Sequence, residues 1–226
     1  MQAPAHHPDA ISFLKEVRDK YKPTHVVAIG DEVDWCWLSD YAKQAEADNP
    51  LAEDDAAICF MRDLYASFPS VSALHSNHVQ GRMEKARLRS RFPKRFLREL
   101  PDILDAPLSW QWYDEIIIDD VLMRHGHKDG VNLKRAILED IPARFGRPYS
   151  LVIGHHHQRF GQACPDILYG GSIYWGAFTG CLLDPTHPFF SYSRGTERLG
   201  TLVIDHGRPV PIPLKTDKYG RWTGEL

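Results

Sequence analysis

Four times along this chain a short apolar run leads directly into a cluster of side chains that can ligate metal. Residues 24–29 run into Gly30-Asp31-Glu32-Val33-Asp34, and Val71–Leu74 into Ser76-Asn77-His78. Residues 121–123 run into His125-Gly126-His127, and Ser150–Ile153 into Gly154-His155-His156-His157. Apolar runs of this length, rich in β-branched residues and bounded by Gly or Asp, predict buried strands. In open α/β sheets the carboxyl ends of strands converge on one crevice. The pattern therefore predicts four strands delivering polar groups to one place.

The intervening segments fit that frame. A helix opens at Pro8, where a missing N–H costs nothing, and Ile11, Leu14, Val17 and Tyr21 recur at helical spacing. Residues 35–68 predict two helical pieces broken near Asn49-Pro50, the second carrying Ile58, Met61, Leu64 and Tyr65 on one face. A charged helical stretch follows over residues 81–100. Residues 115–118 and 121–123 predict strands around an Asp119-Asp120 turn, with a helix at about 131–140. From Phe160 onward no helix is predicted, and residues 168–174, 177–183, 201–204 and 210–214 are strand candidates. No repeat or linker divides the chain. The expectation is one α/β domain over residues 1–226, with two packed β-sheets flanked by helices.

Composition removes several alternatives. At 43% hydrophobic and 25% charged residues the chain is neither disordered nor a coiled coil. No apolar run approaches the length of a membrane span, so no membrane partner is expected. Residues 1–9 lack the charged and apolar regions of a secretory signal. Four scattered cysteines without a CxxC pair read as reduced thiols, which suits a cytoplasmic location. A net charge of −3 says little about partners.

The residue types at the four run ends form a mixed nitrogen and oxygen set, suited to Mn, Fe or Zn rather than Ca. Alone, Gly30–Asp34 and Asn77-His78 each read as an ordinary turn, whereas His155 and His157 read equally well as a ligand pair. His155 and His157 alternate, and in extended backbone would point to the same side. His156 would then point away, packed or solvated.

In order and in kind these motifs resemble those of the calcineurin-like metallophosphoesterases: GDxxD, then GNH, a His after a strand, and GHxH. The narrower likeness is to phosphoesterases of bacteriophage genomes, in which a serine before Asn-His is familiar. The resemblance implies a metallo-dependent phosphatase-like α/β/β/α sandwich. It implies two divalent metal ions, with Mn expected and Fe, Zn, Ni or Mg as alternatives. Asp31 would bridge them, Asn77, His125 and His155 would complete one position, and His157 would serve the other. His127 is an alternative to His125. The implied activity is phosphodiesterase or phosphatase chemistry, in which a metal-bound hydroxide attacks phosphorus in line. His78 would act as general acid, and Asp34 would orient His78 or a ligand.

The opening Asp of the family's DxH or DxQ motif has no counterpart. Gln2-Ala3-Pro4 before a helix resembles the tail of a DxQ motif and makes Gln2 a candidate ligand. The Asp and its strand would then lie upstream of Met1, and the domain would lack its N-terminal strand.

Between Arg82 and Arg98 stand Lys85, Arg87, Arg89, Arg91, Lys94 and Arg95, with Glu84 as the one acid. Starting four residues after His78, the run reads either as a solvated helical face or as a guide for DNA, RNA or a nucleotide. Arg82 and Arg87 are the substrate-binding candidates. The acidic run from Glu46 to Asp55 reads as surface. Trp35 and Trp37 line a cleft or the core, and His6 and His7 lead the first helix near the site. The competing reading is a catalytically degraded relative that binds nucleic acid or a protein partner. An unrelated zinc hydrolase is disfavoured by the lack of HExxH or HxHxDH.

Overall fold

The computed structural model describes residues 1–39, 49–91, 93, 97–128, 130–187 and 196–226. The chain is mixed α/β, with several sheets flanked by helices, and clusters into two compact units. The first comprises Met1–Tyr113 with Leu183–Gly195, the second Asp114–Leu182 with Thr196–Leu226. Among the described residues no helix is long and apolar enough to cross a membrane.

In the first unit, helix α1 spans Ala10–Tyr21, with Ala10, Phe13 and Val17 buried. The buried stripe thus centres on Phe13, and Ile11 and Leu14 lie at its border. Strand β1 is only Val27–Ala28, shorter than residues 24–29 predict. It is an edge strand of a three-stranded sheet, pairing parallel to β2 (Val71–Leu74) and to nothing on its other side among the described residues.

Helix α2 covers Pro50–Ser67. It starts where the sequence says because the Asn49 side chain accepts from Ala52 N and Pro50 fits the first turn. The helical piece expected before it lies largely outside the described residues, and what is described is a 3₁₀ turn at Cys36–Leu38.

Among the described residues of the charged stretch, the helix runs only from Arg82 to Ser90. A π-turn at Asn77–Gly81 leads into α3, Arg82–Ser90, which stops because Arg91 adopts a left-handed φ of 56°. Pro93 follows two residues later and cannot continue a helix. Lys94 and Arg95 lie outside the described residues. Helix α4 (Leu100–Ile103) and strand β3 (Trp110–Tyr113, parallel to β2) complete the unit. The reading assigns no element to Trp110–Tyr113, although its alternating tryptophans are β-favouring. The core of this unit joins Phe60, Met61 and Leu64 of α2 to Val71, Ala73 and Trp110.

The second unit holds a five-stranded sheet in the order β4-β5-β6-β8-β7. Strands β4 (Glu115–Ile118) and β5 (Val121–Arg124) form a hairpin. Asp119 and Asp120 turn it at φ 49° and 62°, the positive pair that a tight hairpin turn requires. A continuous helical run follows: α5 (Leu133–Arg135), a π segment (Ala136–Asp140) and α6 (Ile141–Phe145). Its Leu133, Ile137 and Ile141 pack with Leu122, Leu151, Ile153 and Phe178.

Strand β6 (Ser150–Ile153) is buried at every position, as a central parallel strand must be. The single strand expected over residues 168–174 is instead the tip of a hairpin between β7 (Phe160–Tyr169) and β8 (Ser172–Thr179). Gly170 and Gly171, both at positive φ, make that turn. Strands β9 (Gly200–Asp205) and β10 (Arg208–Pro213) form a separate antiparallel pair.

Candidate functional site

Each unit carries one polar cluster. In the first, the backbone after β1 is strained at Asp31 (φ 58°) and Trp35 (φ 49°), non-glycine residues in the left-handed region. Such conformations persist only where the surroundings over-determine them. Here the surroundings are specific. Asp31 O accepts from the Met1 amine at 2.9 Å and from Gln2 N at 2.6 Å. Asp34 N donates to Ala3 O at 2.9 Å. Glu53, on the first turn of α2, accepts from Cys36 N at 2.6 Å and Trp37 N at 3.3 Å. Trp35 belongs to the core, and its Nε1 donates to Asp54 Oδ1 at 3.1 Å.

Glu53 is a residue that the sequence reading missed. It stands in an acidic run that reads as surface, yet it is buried and closes the loop that carries Asp34. Its position three residues after an Asn-Pro helix start was the available signal.

His78 sits on the π-turn that precedes α3. Ser76 initiates that turn: its Oγ accepts from Val79 N at 3.3 Å, and its own N–H donates to Gln80 Oε1 at 2.8 Å. With φ −129°, position 76 needs no glycine, so serine can stand there and supply the cap.

His78 Nδ1 lies 2.5 Å from Asp34 Oδ1. A carboxylate can only accept, so Nδ1 carries the proton of this bond. Arg82 Nη1 lies 3.3 Å from the same oxygen and donates to the Asp34 carbonyl. Gln2 Nε2 donates to Asp31 Oδ2 at 3.3 Å and lies 3.3 Å from the His78 ring nitrogens. Asn77 is half-buried at the start of the same turn.

His6 and His7 lie in this unit. The His6 ring rests on Phe60, with centroids 3.9 Å apart, and His7 Nδ1 accepts from Asp9 N at 3.1 Å. Burial first, then the N-terminal amine, His187 and His7, push the His6 pKa down to about 4. His187 is also lowered by burial, partly offset by Asp184 and Asp34.

In the second unit the histidines gather at the carboxyl ends of β5 and β6. Ring centroids are 5.2 Å apart for His125 and His155, 5.6 Å for His125 and His127, and 6.4 Å for His127 and His155. His125 is buried and His127 exposed. Gly126 allows this approach, because at φ 95° a Cβ there would come within 2.9 Å of Ile153 Cβ. Gly154 N donates to His125 O at 3.1 Å and links the two loops.

The alternation expected for His155 and His157 does not occur. His155 is left-handed at φ 57°, and the His156 and His157 amides each donate to the carbonyl two residues back. The backbone here is a tight turn rather than a strand. His156 packs edge-on against Phe178 and also lies 5.3 Å from the His155 ring. His157 is half-buried, and its carbonyl accepts from Arg198 N at 2.7 Å.

Arg87 is engaged by neighbours within its own unit. It donates to the Arg98 carbonyl and lies 3.8 Å from Glu99. Lys85, Leu88 and Arg89 are exposed on α3, Leu88 at 81%.

The donor types here, an amide oxygen, a carboxylate and an imidazole, are ones that a divalent cation can take. Gln2 is fully buried, and its Oε1 finds no hydrogen-bond partner among the described residues. An orphaned acceptor beside a buried carboxylate and an imidazole is the environment that a cation satisfies. Compared with known proteins, the chain matches no protein-family model and no curated sequence.

Proposed function

We propose that this protein is a metal-dependent phosphoester hydrolase of the calcineurin-like kind, a phosphodiesterase or phosphatase. The observation that carries the reading is the buried grouping of Asp31, Gln2 Oε1 and the Asp34–His78 pair. The ligand set is the one that the resemblance implies: Asp31, Asn77, His125, His155, His157 and Gln2, holding two divalent ions, Mn first among them. When bound, such ions polarise phosphoryl oxygens and lower the pKa of a coordinated water.

The chain's own residues supply the rest. Asp34 fixes the His78 ring by accepting from Nδ1, which leaves Nε2 as the nitrogen that, when the ring is in its imidazolium form, gives its proton to a departing ester oxygen and returns to neutral imidazole. Gln2 Nε2 faces that ring and, with the neutral imidazole, donates toward it. Glu53 holds the Asp34 loop in its strained form.

The exposed Lys85 and Arg89 of α3 favour a nucleic acid or nucleotide as the phosphoester, since cations draw a phosphate backbone. Elemental analysis tests the ligand assignment. His155→Ala should lower bound Mn, and unchanged occupancy would remove His155 from the set.

A further inference from the structure

We propose that Arg82 is a positioning residue, which holds Asp34 from the helical turn beyond His78 and through it sets the orientation of the His78 ring. The proposal rests on the hydrolase reading above and adds to it a residue that does not touch the reacting atoms.

The geometry is that of one helix gripping one carboxylate. His78 and Arg82 are four residues apart on a continuous helical segment, so their side chains project to the same face. Both reach Asp34 Oδ1, at 2.5 Å and 3.3 Å. Arg82 also donates to the Asp34 carbonyl, so backbone and side chain of that residue are held by one guanidinium. The three side chains are nearly closed to solvent, 7% exposed for Asp34, 15% for Arg82 and 16% for His78.

Such a bracket answers a specific problem. A carboxylate bonded to one imidazole can still rotate about its terminal bond and let the ring swing. A cation paired with the same oxygen and hydrogen-bonded to the same residue's carbonyl restricts that freedom, and a partner behind a catalytic group is what keeps it in register. Asp34 needs the help more than most residues, because Trp35 beside it is in the left-handed region. Arginine suits the task. It keeps its charge throughout the working pH range and presents a rigid planar fork. Both contacts come from Nη1 of a rigid, delocalised guanidinium, and lysine would replace it with a compact, strongly hydrated ammonium on a flexible stem.

The sequence alone suggested a phosphate-binding role for Arg82. Its partners argue otherwise, since engaging a substrate phosphate would require releasing a buried Asp34.

The test compares wild type with Arg82→Met and Arg82→Lys. In metal-free protein the downfield NMR signal of the His78 Nδ1 proton, assigned by its loss in His78→Gln, should be broadened away in Arg82→Met and weakened in Arg82→Lys. In Mn-loaded protein, Arg82→Met should lower kcat about 10²-fold on an alkyl phosphoester, the size of a displaced general acid, with KM little changed. Arg82→Lys should recover roughly tenfold of that loss, because it keeps the charge. A raised KM at unchanged kcat, or an unaltered His78 signal, would overturn the proposal. If Arg82→Met does not fold, Arg82→Lys decides by its His78 signal. If wild type hydrolyses no phosphoester, the hydrolase reading fails, and the NMR comparison still decides whether Arg82 positions His78.

Discussion

Glu53 accepts a hydrogen bond from the backbone N–H of Cys36 at 2.6 Å, so a buried carboxylate on α2 closes the loop that carries Asp34. Burial raises its pKa, the bond from Cys36 opposes that rise, and the charge of Asp34 adds to it. An acid whose folded pKa is raised favours the folded state most below its unfolded value, 4.5, and loses that advantage as pH climbs. Glu53→Ala should cost about 1–3 kcal/mol by removing the carboxylate that the Cys36 and Trp37 amides donate to. Glu53→Gln keeps an acceptor and should cost less, with the gap to wild type narrowing as pH rises above 4.5. Urea midpoints at several pH values measure both.

Gly126→Ala should be destabilising by about 1–3 kcal/mol, because position 126 sits at positive φ and its new methyl meets Ile153. The neighbouring His125 and His127 would be displaced, so bound Mn should fall with stability. A fully stable variant with unchanged metal content would show that the loop has more room than its geometry indicates.

His6 predicts the opposite pH trend to Glu53. A histidine lowered from 6.5 to about 4 takes up a proton on unfolding between those values. Its contribution to stability is complete above 6.5 and lost as pH falls toward 4. His187, also lowered, acts in the same direction. In metal-free protein, His6→Gln should therefore weaken the fall in urea midpoint between pH 7 and 5 without abolishing it. An identical fall in both proteins would contradict the assignment.

The strands were legible where burial dictates sequence. Residues 151–153 are apolar because neighbours cover both faces, and the Asp119-Asp120 turn announces itself by residue type. What was not legible depended on partners distant in the chain. Glu53 looks like a surface acid until Cys36 is folded onto it, and Arg82 looks like a phosphate ligand until Asp34 is beside it. The turn at His155 was misjudged because period-two alternation holds only in extended backbone, and φ 57° is not extended. Gly170-Gly171 carried a hairpin signal that the apolar run around it masked.

His78→Ala should separate chemistry from binding. The loss should be about 10²–10⁴-fold on an ester with a poor leaving group, the usual general-acid contribution. It should shrink on a nitrophenyl ester, whose leaving group scarcely needs a proton. Equal losses on both substrates would remove His78 from the acid role.

The central claim is metal-dependent phosphoester hydrolysis, and its most direct measurement is turnover of nitrophenyl phosphate and its diester after chelation and Mn²⁺ return. The account predicts no hydrolysis by the stripped protein, recovery on adding Mn²⁺, and failure of Asp31→Asn to recover under the same conditions. Turnover that survives chelation, or that Mn²⁺ never restores to the wild-type chain, would contradict it.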